Sequence, residues 1–188
     1  MPRNKSYNEK EVAMKAMRLF WSNGYRATST RNLQNEMGIN LFSIYSSFKN
    51  KDGVFLESIK CYKELLRQNL LKPLAQKPKN VIALKCFFYD FLRFTKNKGV
   101  YRGCFLINTA NELGHGMSID ISNQIGDFSK EIRAYIYEVL SYNTQESIED
   151  LERKTNYLFV ALQGVSLSAK ALTKKQIDDY IEFTFLNI

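Results

Sequence analysis

Apolar side chains return every three to four residues along nearly the whole chain, and no stretch alternates apolar and polar residues convincingly as a half-buried strand would. That period argues against a sheet protein and predicts an all-α fold of about nine helices. Breakers are sparse enough to allow it, with three Pro and nine Gly in 188 residues. The expected helices cover about 8–23, 30–37, 41–47, 52–72, 79–97, 104–113, 118–142, 145–172 and 175–187.

The first third is the most sharply punctuated. Asn8 is placed to cap the first helix, with Glu11 three residues on as in a capping box. Val12, Ala16, Leu19 and Phe20 form its apolar stripe, and Asn23-Gly24 ends it. Thr28, Ser29 and Thr30 are a cluster of cap residues before a short helix buried through Leu33 and Met37. Gly38 stops that helix, and the next is pinned by Ile44 and Phe48. Lys49–Asp52 turns into a longer helix that Pro73 is expected to close.

A short helix, a tight glycine turn and a second short helix have the layout of a helix-turn-helix. In that arrangement the first helix braces across phosphates and the second enters the major groove. With Ile44 and Phe48 inward, Leu41, Phe42, Ser43, Ser46 and Ser47 are left largely outward. Hydroxyls and apolar tips suit base edges and thymine methyls. An ordinary helical hairpin has the same spacing, so charge must help to separate the two. Residues 1–53 carry nine Lys or Arg against four acids, an excess of five out of the net +8. That concentration favours duplex DNA as the partner. Arg3 and Lys5 are either an arm into the minor groove or an unstructured tail.

Other classes find little support. Cys61, Cys86 and Cys104 are odd in number and widely spaced, which indicates neither a disulfide framework nor a zinc site. His115 has no visible metal or catalytic partner, so no cofactor, no metal and no enzyme activity is expected. The polar N-terminus lacks a signal-peptide pattern, and no apolar run is long enough to span a bilayer. The expectation is a soluble, cytoplasmic protein with no membrane partner.

Leu19-Phe20, Gly24-Tyr25, Ala27-Thr28-Ser29, Leu33, Met37-Gly38-Ile39, Ile44-Tyr45, Phe48 and Lys51 together resemble the signature of the tetracycline-repressor (TetR/AcrR) family. The resemblance covers about 45 residues at many fixed spacings, and it implies a bacterial transcriptional repressor. It would make 1–53 the DNA-binding domain and 54–188 the regulatory and dimerisation domain. By motif position it implies that Thr28, Ser29 and Thr30 touch phosphate, as do the Tyr45 hydroxyl and Lys51. It also places Leu41, Phe42, Ser43 and Ser46 among the base readers. Packing for Tyr45 and a solvated charge for Lys51 are the plainer alternatives. Phe42 stands where the family usually has glycine or proline, and Asn40-Leu41 replaces the common Ser-Lys. The operator sequence is therefore not inherited from a relative.

The family resemblance further implies that the last two helices form a four-helix bundle with a second subunit. Tyr157, Leu158, Ala161, Leu162, Val165, Leu167, Ser168, Ala169 and Leu172 provide a wide face, with Gln163-Gly164 at its centre. Ile177, Tyr180, Ile181, Phe185 and Ile188 provide the opposing one. The alternative for many of these is intramolecular core. The segment Tyr101–Gly114 resembles a subset of the family with R-G-C-F-L before a short helix that joins the ligand pocket to the head. An aromatic effector cavity is expected from Phe87, Phe88, Phe91, Phe105, Tyr135 and Phe159, with Cys104, Asn108, Thr109 and Glu112 as polar lining. Cys104 sits beside Arg102 near a helix N-terminus, which favours either a reactive thiol or a small core residue. The leading expectation is a ligand-relieved dimeric repressor on a palindromic operator. Its rivals are a thiol- or electrophile-sensing repressor acting through Cys104, and a helical module that binds protein.

Overall fold

The computed structural model describes residues 7–142, 144–186 and 188. Arg3 and Lys5 lie outside them. Nine helices are present among the described residues. They are α1 (Glu9–Asn23), α2 (Thr30–Met37), α3 (Leu41–Phe48), α4 (from Lys51), α5 (Val81–Thr95), α6 (Phe105–Leu113), α7 (Ile119–Leu140), α8 (Ile148–Ser168) and α9 (Lys174–Leu186). No described helix is long and apolar enough to cross a membrane.

Two expectations need correction. Pro73 does not close α4. The α-helix Lys51–Leu66 runs on through a π-helical turn, Arg67–Leu71, into a last turn, Lys72–Ala75. A proline ring in an α-helix presses on the carbonyl four residues back, here that of Asn69. The wider turn relieves this, with the Lys72 N–H reaching back to the Arg67 carbonyl. The second correction is a small hairpin, β1 (Lys96–Asn97) paired antiparallel with β2 (Val100–Tyr101), where helix and loop were expected. Lys98 and Gly99 both have positive φ, the requirement of a tight two-residue turn. Four strand residues are too few to show alternation in the sequence.

The chain divides into two compact units. The first is the chain up to Leu65 together with Thr109–Gln124, and the second is Leu66–Asn108 together with Ile125–Ile188. In the first, α1, α2 and α3 pack around Val12, Ala16, Phe20, Leu33, Met37, Ile44 and Phe48, all buried. Phe20 meets Phe55 of α4 edge-on at 4.8 Å, and Trp21 meets Tyr62 at 5.0 Å. The start of α7 is tied in by Lys63, whose ammonium donates to Gln124 Oε1 at 2.7 Å. The second unit is built on α5, α8 and α9. Phe87, Phe88 and Phe91 of α5, Leu158, Leu162 and Val165 of α8, and Ile177 and Ile181 of α9 are buried there.

Candidate nucleic-acid interface

The short helices of the first unit are held by their ends. Ser29 caps α2 through a reciprocal pair: its hydroxyl accepts from the Asn32 N–H at 3.1 Å, and Asn32 Oδ1 accepts from the Ser29 N–H at 3.0 Å. Gly38 ends α2 in the left-handed region at φ 71°. Asn40 then caps α3, accepting from the Ser43 N–H at 2.8 Å. Eight-residue helices are marginal alone, so these caps and the buried pairs Leu33/Met37 and Ile44/Phe48 fix them in place.

With Ile44 and Phe48 buried, α3 turns the other side outward. Phe42 is 83% exposed, and Tyr45 and Ser46 are also exposed. Leu41, Ser43 and Ser47 are half-buried. A brace that the sequence reading missed lies behind them. The Tyr7 hydroxyl donates to the Ser43 carbonyl at 3.0 Å and stands 2.8 Å from Ser47 Oγ. Ser47 is therefore engaged within the protein, and Tyr7 indexes α3 from outside the motif. Nothing in local spacing links residues 36 and 40 positions apart.

Thr28 departs from its expected place. Its side chain is fully buried, and its hydroxyl donates to the Gly24 carbonyl at 2.6 Å. It closes the turn between α1 and α2 and is not available to phosphate. Ser29 and Thr30 stay at the surface of the α2 N-terminus, exposed and half-buried respectively.

Lys51 opens α4 with its ammonium 4.2 Å from the centre of the Tyr25 ring. Burial pulls that ammonium below the usual lysine range, while the Asp52 and Glu112 carboxylates pull it up. The Tyr25 hydroxyl donates to the Asp52 carboxylate. Burial, then that bond and the Asp52 charge, push the phenol up to about 12, so it stays protonated near neutral pH.

Of the ten residues expected to line an effector cavity, two sit in the first unit. Thr109 is buried there, and the Glu112 carboxylate accepts backbone N–H groups of Tyr25 and Arg26. Glu112 is thus a brace for the α1–α2 turn and is removed from the cavity set. The other eight lie in the second unit. There Phe87, Phe88, Phe91, Phe105 and Cys104 are buried, and Tyr135 and Phe159 half-buried. Asn108 is engaged at both ends, donating to the Arg102 carbonyl and accepting from Lys170. Thr155 Oγ1 and Arg133 Nε, which the sequence reading did not single out, are buried without a hydrogen-bond partner. A groove of about 670 Å³ in the first unit, floored by Ala13, Phe48, Leu56 and Cys61, shares no residue with the expected cavity.

The apolar face expected on the last two helices is only partly at the surface. Leu158, Ala161, Leu162, Val165, Ala169, Ile177 and Ile181 are buried within the unit, and Phe185 packs edge-on against Phe88 at 5.0 Å. Tyr157, Gly164, Leu167, Leu172 and Tyr180 of the expected face are exposed, and with them Val160 along α8 and Phe183 and Leu186 along α9. Val160, Phe183 and Leu186 were not in the expected set.

Residues 14–58 match the family described as bacterial regulatory proteins, tetR family. The chain is 27% identical over 173 residues to the HTH-type transcriptional repressor ComR of Escherichia coli (strain K12), covering 89% of this chain and 82% of ComR. Its fold is similar to a TetR transcriptional regulator from Legionella pneumophila, with TM-score 0.82, 18% identity and coverage of 99% and 100% of the two chains. It is also similar in fold to a cysteine-substituted form of the TetR family regulator CifR complexed with 26-bp double-strand operator DNA. There the TM-score is 0.80, at 19% identity and 98% coverage of each chain.

Proposed function

The chain belongs to the tetR family of bacterial transcriptional regulators, and from that premise we propose that it is a homodimeric, effector-responsive repressor whose α3 reads a palindromic operator. One observation carries this reading: α3 holds Phe42 out at 83% exposure beside Tyr45 and Ser46, with Ser29, Thr30 and Lys51 on the flanking helix starts. Phe42, Ser46 and the outer edges of Leu41 and Ser43 face base edges. The Tyr45 hydroxyl, the α2 N-terminus and Lys51 take phosphates. Operator binding is carried over from CifR, and repression from ComR.

Val160, Gly164 and Leu167 of α8, with Tyr157, follow the 3-4 spacing of a helix seam. Tyr180, Phe183 and Leu186 extend the apolar face on α9. A second copy covers them, and two heads on a two-fold axis meet half-sites about 34–36 Å apart or multiples of it. The effector occupies the aromatic part of the second unit, among Phe87, Phe88, Phe91, Phe105, Tyr135 and Phe159. Thr155 and Arg133 offer it polar atoms that lack partners. Effector and operator then weaken each other's binding by the same factor.

The test is a gel shift of the full-length protein with DNA selected by it from random duplexes. A protein touching six or more phosphates loses about a thousandfold or more in affinity between 50 and 200 mM salt. A flat response, or no selected sequence, overturns the reading in favour of a protein-binding module.

A thiol-sensing version has one observation in its favour. Burial pulls the Lys170 ammonium below its usual range, and a thiolate at the neighbouring Cys104 would favour the protonated amine, which links ionisation of the two groups. Cys104→Ser should then abolish derepression by electrophiles and leave operator binding intact. Unchanged derepression excludes it.

A further inference from the structure

The turn between α1 and α2 is held by a residue 86 positions away. The Glu112 carboxylate accepts two backbone N–H groups, from Tyr25 at 2.9 Å and from Arg26 at 2.7 Å. These are charge-assisted bonds, stronger than their neutral counterparts. Gly24 is shaped to the same contact: its φ is +82°, and a Cβ there would stand 2.7 Å from Glu112 Oε2. No side chain larger than hydrogen fits without displacing the carboxylate.

What the anchored backbone carries is the Tyr25 ring. One face holds the Lys51 ammonium at 4.2 Å, the hydroxyl holds Asp52, and Phe55 meets the ring edge-on at 4.9 Å. Tyr25 is a platform on which the start of α4 rests. All of these residues, with Glu112, belong to the first unit. We propose that Glu112 is a positioning residue for DNA binding: by pinning the Tyr25 backbone it sets the ring that aims Lys51 at a phosphate. This rests on the reading of Lys51 as a phosphate contact. It goes further in making operator affinity depend on the last turn of α6, far outside the helix-turn-helix. The charge of Glu112 also reaches Lys51 directly, favouring the protonated amine against the pull of burial.

The consequence is separable from a general loss of stability. Wild type, Glu112→Ala, Lys51→Ala and the double variant are compared on one selected duplex, by fluorescence anisotropy across a salt series. Glu112→Ala should bind about tenfold more weakly, within the range of a typical coupling. Its slope of log affinity against log salt should fall by about 0.9, the value of one phosphate contact. Lys51→Ala should show the same slope, and the double variant should be no weaker than Lys51→Ala alone. Glu112→Gln keeps one acceptor oxygen and should fall between wild type and Glu112→Ala. If Glu112→Ala does not fold, the same cycle is run with Glu112→Gln. An unchanged slope, or additive losses in the double variant, overturns the proposal while operator binding by the wild type stands. Failure of the wild type to select any duplex brings down the functional reading first.

Discussion

Among the places where this molecule exposes large apolar side chains, two keep different company. On α3 a single phenylalanine, Phe42, stands out among hydroxyls, with lysines at the following turn. On α8 and α9 the exposed apolar residues recur along each helix: Val160 is 66%, Phe183 69% and Leu186 79% exposed, and Tyr157, Leu167 and Tyr180 are exposed as well. An isolated apolar tip beside hydroxyls, with lysines just past the helix end, gains from a groove that is itself charged and hydrogen-bonding. A stripe with an open glycine at its centre gains from another apolar helix brought close. Exposure alone does not separate these roles, and the neighbouring side chains do.

The sharpest way to break this comparison is to charge the stripe. Val160→Asp with Phe183→Asp should turn a dimer into a monomer by analytical ultracentrifugation. Operator affinity should fall by about a hundredfold or more, because linked binding is lost. A dimer that survives both substitutions would place the seam elsewhere. Next in size, Phe42→Ala should cost about 1–3 kcal/mol of discrimination at one base position, with oligomeric state unchanged. Repeating the duplex selection with the variant reads this directly, and an identical consensus would remove Phe42 from the interface. The smallest expected effect sharpens the boundary of the α3 side. Thr28→Val keeps the buried shape and removes the bond to the Gly24 carbonyl, so it should lower stability by about 1 kcal/mol in thermal unfolding. Its salt slope should match the wild type, and a reduced slope would return Thr28 to the phosphate contacts.

Much of the first unit was legible because its signals are local. Leu33 with Met37 and Ile44 with Phe48 are one turn apart, and all four are buried as that spacing requires. Asn8, Ser29 and Gly38 act at the ends where cap chemistry puts them, whereas the cap at Asn40 was not read from the sequence. The failures share a different cause. Thr28 reads as a cap residue by type, and its burial follows from where the chain turns between α1 and α2. Glu112 reads as polar lining on a short helix, and its actual partners lie 86 and 87 residues back. On α8 an apolar face was visible but Val160 was left out of it, and Leu158 and Val160 divide between interior and surface according to how α5 and α9 pack on the helix. Periodicity gives a face, and tertiary packing decides which edge of that face stays open.

The π-helical turn at Arg67–Leu71 amounts to one extra residue spliced into α4, so the helix is longer in residues than in turns. Relatives lacking a proline equivalent to Pro73 have no need of the surplus, and an alignment should show them one residue shorter at this point. Counting heptads straight through α4 would misassign every position after Leu66, whereas restarting the count at Lys72 would not.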